Sequence, residues 1–231
     1  MAGLIALILA AVAIGLVQWR VSLWRMEKMF DEKGRPLDDP ALNEMVRRLG
    51  ACVDLPELKA EVLDMPVVNG LATPDGRIFV TSALVDKHRF GIIRAEEIAS
   101  VVAHELGHVA LGHHTRRMID WSGQNAARMA LGLILNRFLP IIGFYIANFL
   151  AGLFMARLSR RDEFEADRYA TALMLKAGLG HAPQVSMFRK LDRMMPGPKP
   201  AAWMASHPPT EERVAAIEAN VAAWEATAAQ G

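Results

Sequence analysis

Two long apolar stretches divide the chain, and they constrain its fold more than any other feature of the sequence. Residues 2–17 carry no polar side chain, and residues 126–156 are also predominantly apolar. A helix needs about 20 apolar residues to cross a bilayer, so both stretches approach or exceed that length. Hydrophobic residues make up 52% of the sequence, slightly above the share of a usual soluble domain. Because the two stretches hold this excess, it indicates membrane contact rather than an unusually large core.

The first stretch predicts an N-terminal transmembrane helix over residues 1–19. Trp19 stands at its end, where aromatic side chains favour the membrane–water boundary. A cleaved signal peptide is the alternative, because small residues lie near the middle of the run, but no Lys or Arg precedes it as such peptides normally require. Arg20, Arg25 and Lys28 follow the segment. The positive-inside rule therefore predicts a single-pass protein whose remaining residues are cytoplasmic.

The second stretch predicts two helical pieces that meet at a break. Residues 138–155 contain only one strongly polar side chain, Asn148, and could span a bilayer on length alone. Asn136, Arg137 and Pro140 interrupt the apolar pattern, and a proline breaks or kinks a helix. The sequence leaves two interpretations open. The stretch is either a helical hairpin buried in the domain or a hairpin that enters or lies against the membrane.

Outside these stretches the pattern predicts a mostly helical α+β domain over residues 41–228, joined to the anchor by a polar linker over residues 20–40. Residues 67–70 and 78–81 form extended segments around a tight turn, which predicts a small antiparallel sheet. A helix is expected from residue 95 to about residue 117, and further helices follow the second apolar stretch.

Net charge and cysteine content exclude several kinds of site. Lys and Arg number 26 against 25 Asp and Glu, which gives a net charge of +1. With no basic stripe among aromatic residues, nucleic acid is not expected as a partner. Cys52 is the single cysteine, which excludes an internal disulfide and a multi-cysteine metal site and fits a reducing compartment. The seven histidines are therefore the main candidates for metal binding.

The pattern His104-Glu105-x-x-His108 lies within a predicted helix and predicts a zinc site. Residues four apart share a helical face, so both imidazoles can reach one ion. Glu105 lies about 100° round from His104. There its carboxylate can take a proton from a metal-bound water instead of binding the metal. A chance occurrence of three fixed positions is the alternative, but apolar residues fill the other faces of this helix.

A catalytic zinc usually takes three protein ligands, so a third must lie elsewhere in the sequence. His114 matches the third histidine of another zinc-protease pattern, but that pattern needs glycine at the position of Leu111, and Gly112 is one residue off. If the helix continues past Leu111, His113 and His114 lie about 180° and about 80° from His104. Neither then converges on the site, and both are expected to form a polar helix end.

Glu163 is the better candidate for the third ligand. Glu163 and Asp167 are four apart on one helical face. Glu163 could bind zinc while Asp167 accepts the outer N–H of a ligand histidine and fixes its tautomer. Glu165 lies about 200° round from Glu163 and is expected to face elsewhere. Charged helices often carry such pairs on a solvated face, so this pair has weight only beside the histidine motif.

The histidine motif, followed after an apolar insertion by Glu163-x-x-Ala166-Asp167, resembles the M48 family of gluzincin metallopeptidases. Residues 69–72 with residues 78–81 are similar to the family's Asn-Ala-Phe-Ala strand pair, in which an edge strand borders the cleft. Residues 207–213 resemble its C-terminal His-Pro motif. The resemblance covers roughly residues 40–220, with the four motifs in order.

The resemblance implies a compact gluzincin metallopeptidase domain with one Zn²⁺ per chain. The implied zinc ligands are His104, His108 and Glu163. Glu105 is implied as the general base. The implied activity is that of an endopeptidase on polypeptides, including membrane or misfolded proteins. Some members have more spanning segments than the one expected here, so their processing of prenylated proteins is not carried over to this chain.

Three departures or ambiguities remain within these motifs. Gly70 and Leu71 replace the family's usual Ala and Phe at the substrate edge. His207 either stands at the start of a helix before Pro208, or lies in the cleft as a catalytic residue that steadies the oxyanion or occupies the open zinc position. Arg213 could do similar electrostatic work.

Two other functions are compatible with the sequence. The chain could be a non-hydrolytic membrane scaffold or chaperone with a structural zinc, although such a site needs no base like Glu105 and usually closes with a fourth protein ligand. It could also be a membrane-anchored helical protein with an accidental motif. The leading prediction is a membrane-anchored zinc metalloendopeptidase that acts in quality control, with polypeptide substrates and the lipid bilayer as partners.

Overall fold

The computed structural model describes residues 13, 17, 20–21, 24–25, 27–73, 75–140, 142–194 and 208–230. Most of the predicted anchor at residues 1–19 and all of His207 lie outside the described residues, so these assignments stay predictions. In chain order the elements are β1 (Gly34–Pro36), α1 (Pro40–Cys52), β2 (Ala60–Leu63), β3 (Gly70–Ala72), β4 (Ile78–Thr81), α2 (Ser82–Arg89), α3 (Ala95–Ala110), α4 (His113–Phe138), α5 (Ile142–Lys176), α6 (Ala182–Met194) and α7 (Thr210–Ala228). The mostly helical α+β class is confirmed.

The four strands form one sheet in the order β1-β2-β4-β3. The antiparallel pair around the tight turn is present, with Gly70 opposite Val80. The small sheet that the sequence predicts as antiparallel is mixed, because β2 pairs parallel with β4, placing Val62 opposite Val80. The cause is that β4 lies between β2 and β3, which follow each other in the chain but do not pair.

The predicted polar linker contributes to the fold. Gly34 to Pro36 form β1, which pairs antiparallel with β2 at the far edge of the sheet. Residues 27–33 are helical, and the ring of Phe30 stacks on Phe79 with the ring centroids 4.7 Å apart. Phe30, Phe79 and Leu63 are buried together in a small apolar cluster. Phe30 and residues 34–36 are therefore packed against or within the sheet, so this part of the predicted linker belongs to the folded domain.

Helix α1 has a capped N-terminus and contributes to the main core. The Asp39 carboxylate accepts hydrogen bonds from the backbone N–H groups of Ala41 and Leu42, which caps the helix. The core fills the space between one face of the sheet and the helices α1, α3, α5 and α6. Its fully buried members include Leu49, Val80, Leu84, Ala103, Ala170 and Met174.

Helix α3 ends earlier than the sequence predicts. Its last residue is Ala110, and Gly112 takes a left-handed conformation with φ of 64°. Glycine adopts this conformation without the steric cost of a Cβ and commonly ends helices this way. The chain turns there, and α4 starts at His113 in a new direction. The expectation of one continuous helix through Arg117 is therefore wrong.

Helices α4 and α5 form a long hairpin. Their break falls at Leu139 and Pro140, as the proline predicts, and the helices pack closely where Gly132 meets the ring of Phe144. Only 11% of the most apolar window of α5 is buried, so this part of the hairpin is not buried in the domain. In the described part of the chain, α5 alone is long and apolar enough to cross a membrane by length and composition. The exposed large apolar residues of the hairpin are Met129, Leu133, Ile134, Phe138, Leu139, Ile142, Phe144, Tyr145, Phe149, Leu150, Leu153 and Phe154.

Candidate active site

Helices α3 and α5 lie close together at Gly107, inside the histidine motif. A Cβ atom on Gly107 would lie 3.1 Å from both the Cα and the carbonyl oxygen of Ala166. Few Cβ atoms in well-packed interiors make contacts this short, so a side chain at position 107 would require the neighbouring helix to shift. Glycine at position 107 and a small, fully buried residue at position 166 therefore allow the two helices to come together, which brings the two halves of the site into contact.

His104, His108 and Glu163 converge at this crossing. The Nε2 atom of His104 lies 3.5 Å from Oε2 of Glu163, and Nε2 of His108 lies 3.6 Å from Oε1 of the same carboxylate. The candidate ligand atoms of the three residues all lie within 4.8 Å of one another. Two imidazole nitrogens and one carboxylate oxygen form a donor set that suits a catalytic zinc, which keeps a fourth position open. The residues present therefore fit the metal that the motif predicts.

Asp167 and Arg213 support the His104 side of the site. Oδ1 of Asp167 lies 2.9 Å from Nδ1 of His104. Arg213, from α7, donates to both carboxylate oxygens of Asp167 at 2.6 and 2.7 Å, and its Nη2 lies 3.5 Å from Oε2 of Glu163. This bidentate pair is the strongest kind of charged hydrogen bond. Sequence reasoning gave Arg213 little weight, yet it contacts two of the acidic residues around the site.

The electrostatics favour a charged His104 ring when no metal is bound. Burial by itself lowers the pKa of His104, but hydrogen bonds from the ring to Asp167 and Glu163 outweigh burial and raise the pKa to about 9. A metal ion must therefore displace a proton when it binds Nε2.

His113 is the residue that sequence reasoning missed. Its side chain is fully buried, and its Nδ1 lies 2.7 Å from Nδ1 of His108. On the other side of the ring, Nε2 lies 3.2 Å from Oε2 of Glu165. Burial lowers the pKa of His113, and the nearby Asp162 and Glu165 carboxylates offset this only in part. The expectation that His113 forms a polar helix end is wrong, because the turn at Gly112 returns the chain beneath His108.

The other residues considered from the sequence are Glu165, His114 and His207, and only Glu165 has a described side chain. His104, His108 and Glu163 form the candidate metal triad. Glu165 points away from this triad, as its helical angle predicts, and contacts His113 instead. His114 lies in the first turn of α4, and its side chain is outside the described residues. His207 is outside them as well. Gly112 followed directly by histidine was the one signal that could have identified His113, since glycine after an apolar helix marks its end.

A cavity of about 580 Å³ opens beside the triad, and Glu105 faces it. Strand β3 forms one wall. A Cβ on Gly70 would collide with Val101 and would lie 3.4 Å from Cγ of Glu105, so this close approach accounts for glycine where the family usually has alanine. β3 is the last strand in the sheet order, and within the described residues no other strand pairs with its outer side. Apolar side chains make up much of the lining: Val67, Val68, Leu71, Val101, Met187, Phe188 and Leu191.

Known proteins share both the sequence pattern and the fold. The model of Peptidase family M48 matches residues 36–221. Metalloprotease LoiP of Escherichia coli K12 is 31% identical over 156 residues, covering 68% of this chain and 60% of LoiP. A protease HtpX homolog of Salinibacter ruber is 29% identical over 251 aligned positions, covering 93% of this chain and 87% of the homolog.

The crystal structure of S. mikatae Ste24p shows a similar fold, with a TM-score of 0.61 and 24% identity. The match covers 87% of this chain and 56% of Ste24p, so this chain spans little more than half of that protein and 60% of LoiP. The family match extends from the end of β1 into α7 and includes every element that contributes to the triad. The chain therefore belongs to peptidase family M48.

Proposed function

We propose that this protein is a membrane-associated zinc metalloendopeptidase. The observation that carries the proposal is the convergence of His104, His108 and Glu163 beside a cavity that Glu105 also faces. These three residues would hold the metal. When bound, a zinc ion would polarise the scissile carbonyl group and lower the pKa of a coordinated water toward about 7.

The residues around the proposed metal site have three different roles: proton transfer, orientation of a ligand histidine, and balance of charge. The Glu105 carboxylate acts as general base, accepts the proton of the attacking water, and returns it to the leaving nitrogen. Asp167 accepts the Nδ1 hydrogen of His104, so Nε2 is the nitrogen of that ring that would bind the metal. The Arg213 guanidinium balances the negative charge that Asp167 and Glu163 bring into a buried site.

The outer side of β3 is the proposed substrate edge. An extended polypeptide added there would pair with the backbone of Gly70, Leu71 and Ala72, as in other cases of strand addition. Its scissile bond would then lie over the cavity that holds Glu105. Because only an extended segment can form these bonds, the proposed substrates are unfolded or misfolded regions, including those of membrane proteins.

The exposed α4–α5 hairpin is the proposed membrane contact. Residues 121–161 contain five arginines and no acidic residue, which suits an anionic lipid surface. Two polar residues of the hairpin are hydrogen-bonded to each other: Arg128 donates from Nη1 to Oδ1 of Asn148 at 2.9 Å. Polar groups that enter a bilayer usually pair in this way. The predicted anchor at residues 1–19 would hold the same domain to the membrane.

Replacing Glu105 with Gln tests the mechanism. The Glu105→Gln protein should lose cleavage of a denatured test protein by at least 100-fold, within the range expected for loss of a general base, while its zinc content stays near one per chain. Glu96→Gln, on the same helix but outside the cavity, is the matched control and should cleave normally. Cleavage that persists in Glu105→Gln would overturn the mechanism, and wild-type protein that binds zinc but cleaves no denatured substrate would overturn the protease proposal itself.

A further inference from the structure

The two histidines of the motif have different neighbours at their outer nitrogens. His104 places Nδ1 against the carboxylate of Asp167 at 2.9 Å. His108 places Nδ1 against a second imidazole, that of His113, at 2.7 Å. Histidines that bind metals usually donate this outer N–H to a carboxylate, a carbonyl or a water. The arrangement at His108 is therefore unlike that at His104.

The tautomers of His108 and His113 follow from which ring nitrogens must accept a hydrogen bond. If Nε2 of His108 uses its lone pair toward a metal, then Nδ1 carries the hydrogen and donates it to His113. Nδ1 of His113 must then be the acceptor, so its hydrogen sits on Nε2. That nitrogen lies 3.2 Å from Oε2 of Glu165, a carboxylate that can accept it. The three side chains thus form one directed chain of hydrogen bonds.

Two arginines fix the far end of this chain. Arg161 donates from Nε to Oε1 of Glu165 at 2.7 Å, and Arg116 donates from Nη1 to Oε2 at 3.0 Å. Both oxygens of Glu165 are therefore held by charged donors. At His108 the carboxylate of Glu165 is not in direct contact, because the imidazole ring of His113 lies between the two side chains.

We propose that His113 is a positioning residue for metal binding. It fixes the tautomer and the ring orientation of His108 and links that ring to Glu165. The proposal rests on the proposed metal site, because His108 is assigned as a ligand there. It adds a role for a residue outside the histidine motif, on the helix that begins after the turn at Gly112.

A second metal site is the competing interpretation of the same residues. Candidate ligand atoms of His113, Asp162 and Glu165 also lie within 4.8 Å of one another. However, Nη1 of Arg116 is 3.1 Å from Oδ1 of Asp162 and 3.0 Å from Oε2 of Glu165. A guanidinium already supplies the positive charge between these carboxylates, so a hydrogen-bonded cluster explains the geometry without an ion.

Two polar substitutions test the roles of the two ring nitrogens of His113 independently. In His113→Asn the side-chain oxygen can take the place of Nδ1 and accept from His108. In His113→Gln the amide reaches the position of Nε2 and can contact Glu165, but leaves His108 without its acceptor. Chelator competition on the full-length protein should show zinc affinity near that of wild type for Asn and about 10-fold to 100-fold lower for Gln, the range found when outer partners are lost.

Replacing zinc with Co²⁺ gives a measurement that a change in packing away from the metal would not alter. The visible absorption spectrum of the Co²⁺-loaded protein reports ligand geometry, so it should shift in His113→Gln and stay near wild type in His113→Asn. His181→Gln, a histidine outside the cavity, is the control and should change neither measurement. Equal zinc affinities for the Asn and Gln variants, whether high or low, would overturn the proposal.

Glu165→Gln offers a second route at a partly exposed position, where a folding defect is less of a concern. It should lower zinc affinity by several-fold and shift the Co²⁺ spectrum in the direction of His113→Gln. An unchanged affinity and spectrum would contradict the link from His108 to Glu165. These measurements report metal binding and not hydrolysis. A negative result would therefore contradict the role of His113 without contradicting the protease proposal. Cleavage that persists in Glu105→Gln would contradict the protease mechanism without contradicting the role of His113.

Discussion

His104 and Asp167 lie 63 positions apart in the sequence, yet Nδ1 of one is 2.9 Å from Oδ1 of the other. The bond joins α3, which carries the histidine motif, to α5, which carries Glu163. It orients the His104 ring so that Nε2 faces the Glu163 carboxylate. The geometry of the candidate metal triad therefore depends on a residue that is not itself part of it.

Asp167→Asn should weaken both metal binding and the fold. The amide oxygen can still accept from His104, but Arg213 loses the charge that balances it in a buried position. We expect zinc affinity to fall by about 10-fold to 100-fold and the free energy of unfolding to fall by about 3–5 kcal/mol. Chelator competition and denaturant unfolding measure the two effects. Asp86→Asn, in an exposed pair with Arg89, should change the unfolding free energy by less than about 1 kcal/mol.

Glu163→Ala should abolish stoichiometric zinc binding, because it removes one of the three converging ligands. His114→Ala should retain zinc, since the helix break falls at Gly112 and not at the position that the other zinc-protease pattern requires. Metal analysis of the two purified variants is the measurement. Zinc that stays in Glu163→Ala and leaves His114→Ala would reassign the third ligand to His114.

Glu97 should make stability depend on pH in the acid range. Burial raises the pKa of its carboxyl group, but hydrogen bonds from Lys190, Ser186 and the Arg94 backbone N–H outweigh burial and hold the pKa below the usual 4.5. A depressed pKa in the folded state means that the carboxylate stabilises the fold above about pH 4.5, and that this contribution is lost as pH falls through the folded-state pKa.

Glu97→Gln should therefore lower the free energy of unfolding at pH 7 by about 1–3 kcal/mol, with the difference from wild type shrinking as the pH falls below about 4.5. Urea unfolding at a series of pH values tests this. Glu44→Gln, in an exposed pair with Arg47, should give a difference near zero at every pH. A difference for Glu97→Gln that stays constant with pH would show that its charge is not responsible.

The hairpin should enter the acyl region of a bilayer. Phe149 on α5 and Phe90 after α2 are 66% and 80% exposed, but only Phe149 belongs to the apolar hairpin. In a Cys52→Ser background, a polarity-sensitive fluorophore at Phe149→Cys should shift to the blue in liposomes and be quenched by brominated lipids. The same label at Phe90→Cys should behave as in water. Equal emission from the two positions would argue that the hairpin stays outside the bilayer.

Local patterns in the sequence predict the parts of the site that depend on helical spacing. Glu163 and Asp167 share a face because they are four apart, and the break at Pro140 follows from the missing N–H and the clash of its ring. His113 could not be placed, because its position depends on whether the helix stops at Gly112 or continues. The parallel pairing of Val62 with Val80 is equally hidden, since β3 intervenes in the chain between the paired strands.

Helix α5 runs without a break from Ile142 to Lys176, so its apolar part and Glu163 belong to one rigid rod. The rise along the helix from Ala156 to Glu163 is about 10 Å, at about 1.5 Å per residue. If the apolar part of α5 lies in the bilayer and the helix is perpendicular to it, the helix fixes the distance between the bilayer and the candidate metal triad. The triad then lies at or just beyond the lipid headgroups. For the peptidase proposed above, helix length would then set the height of cleavage above the membrane, and loops and tails close to the surface would be the accessible substrates.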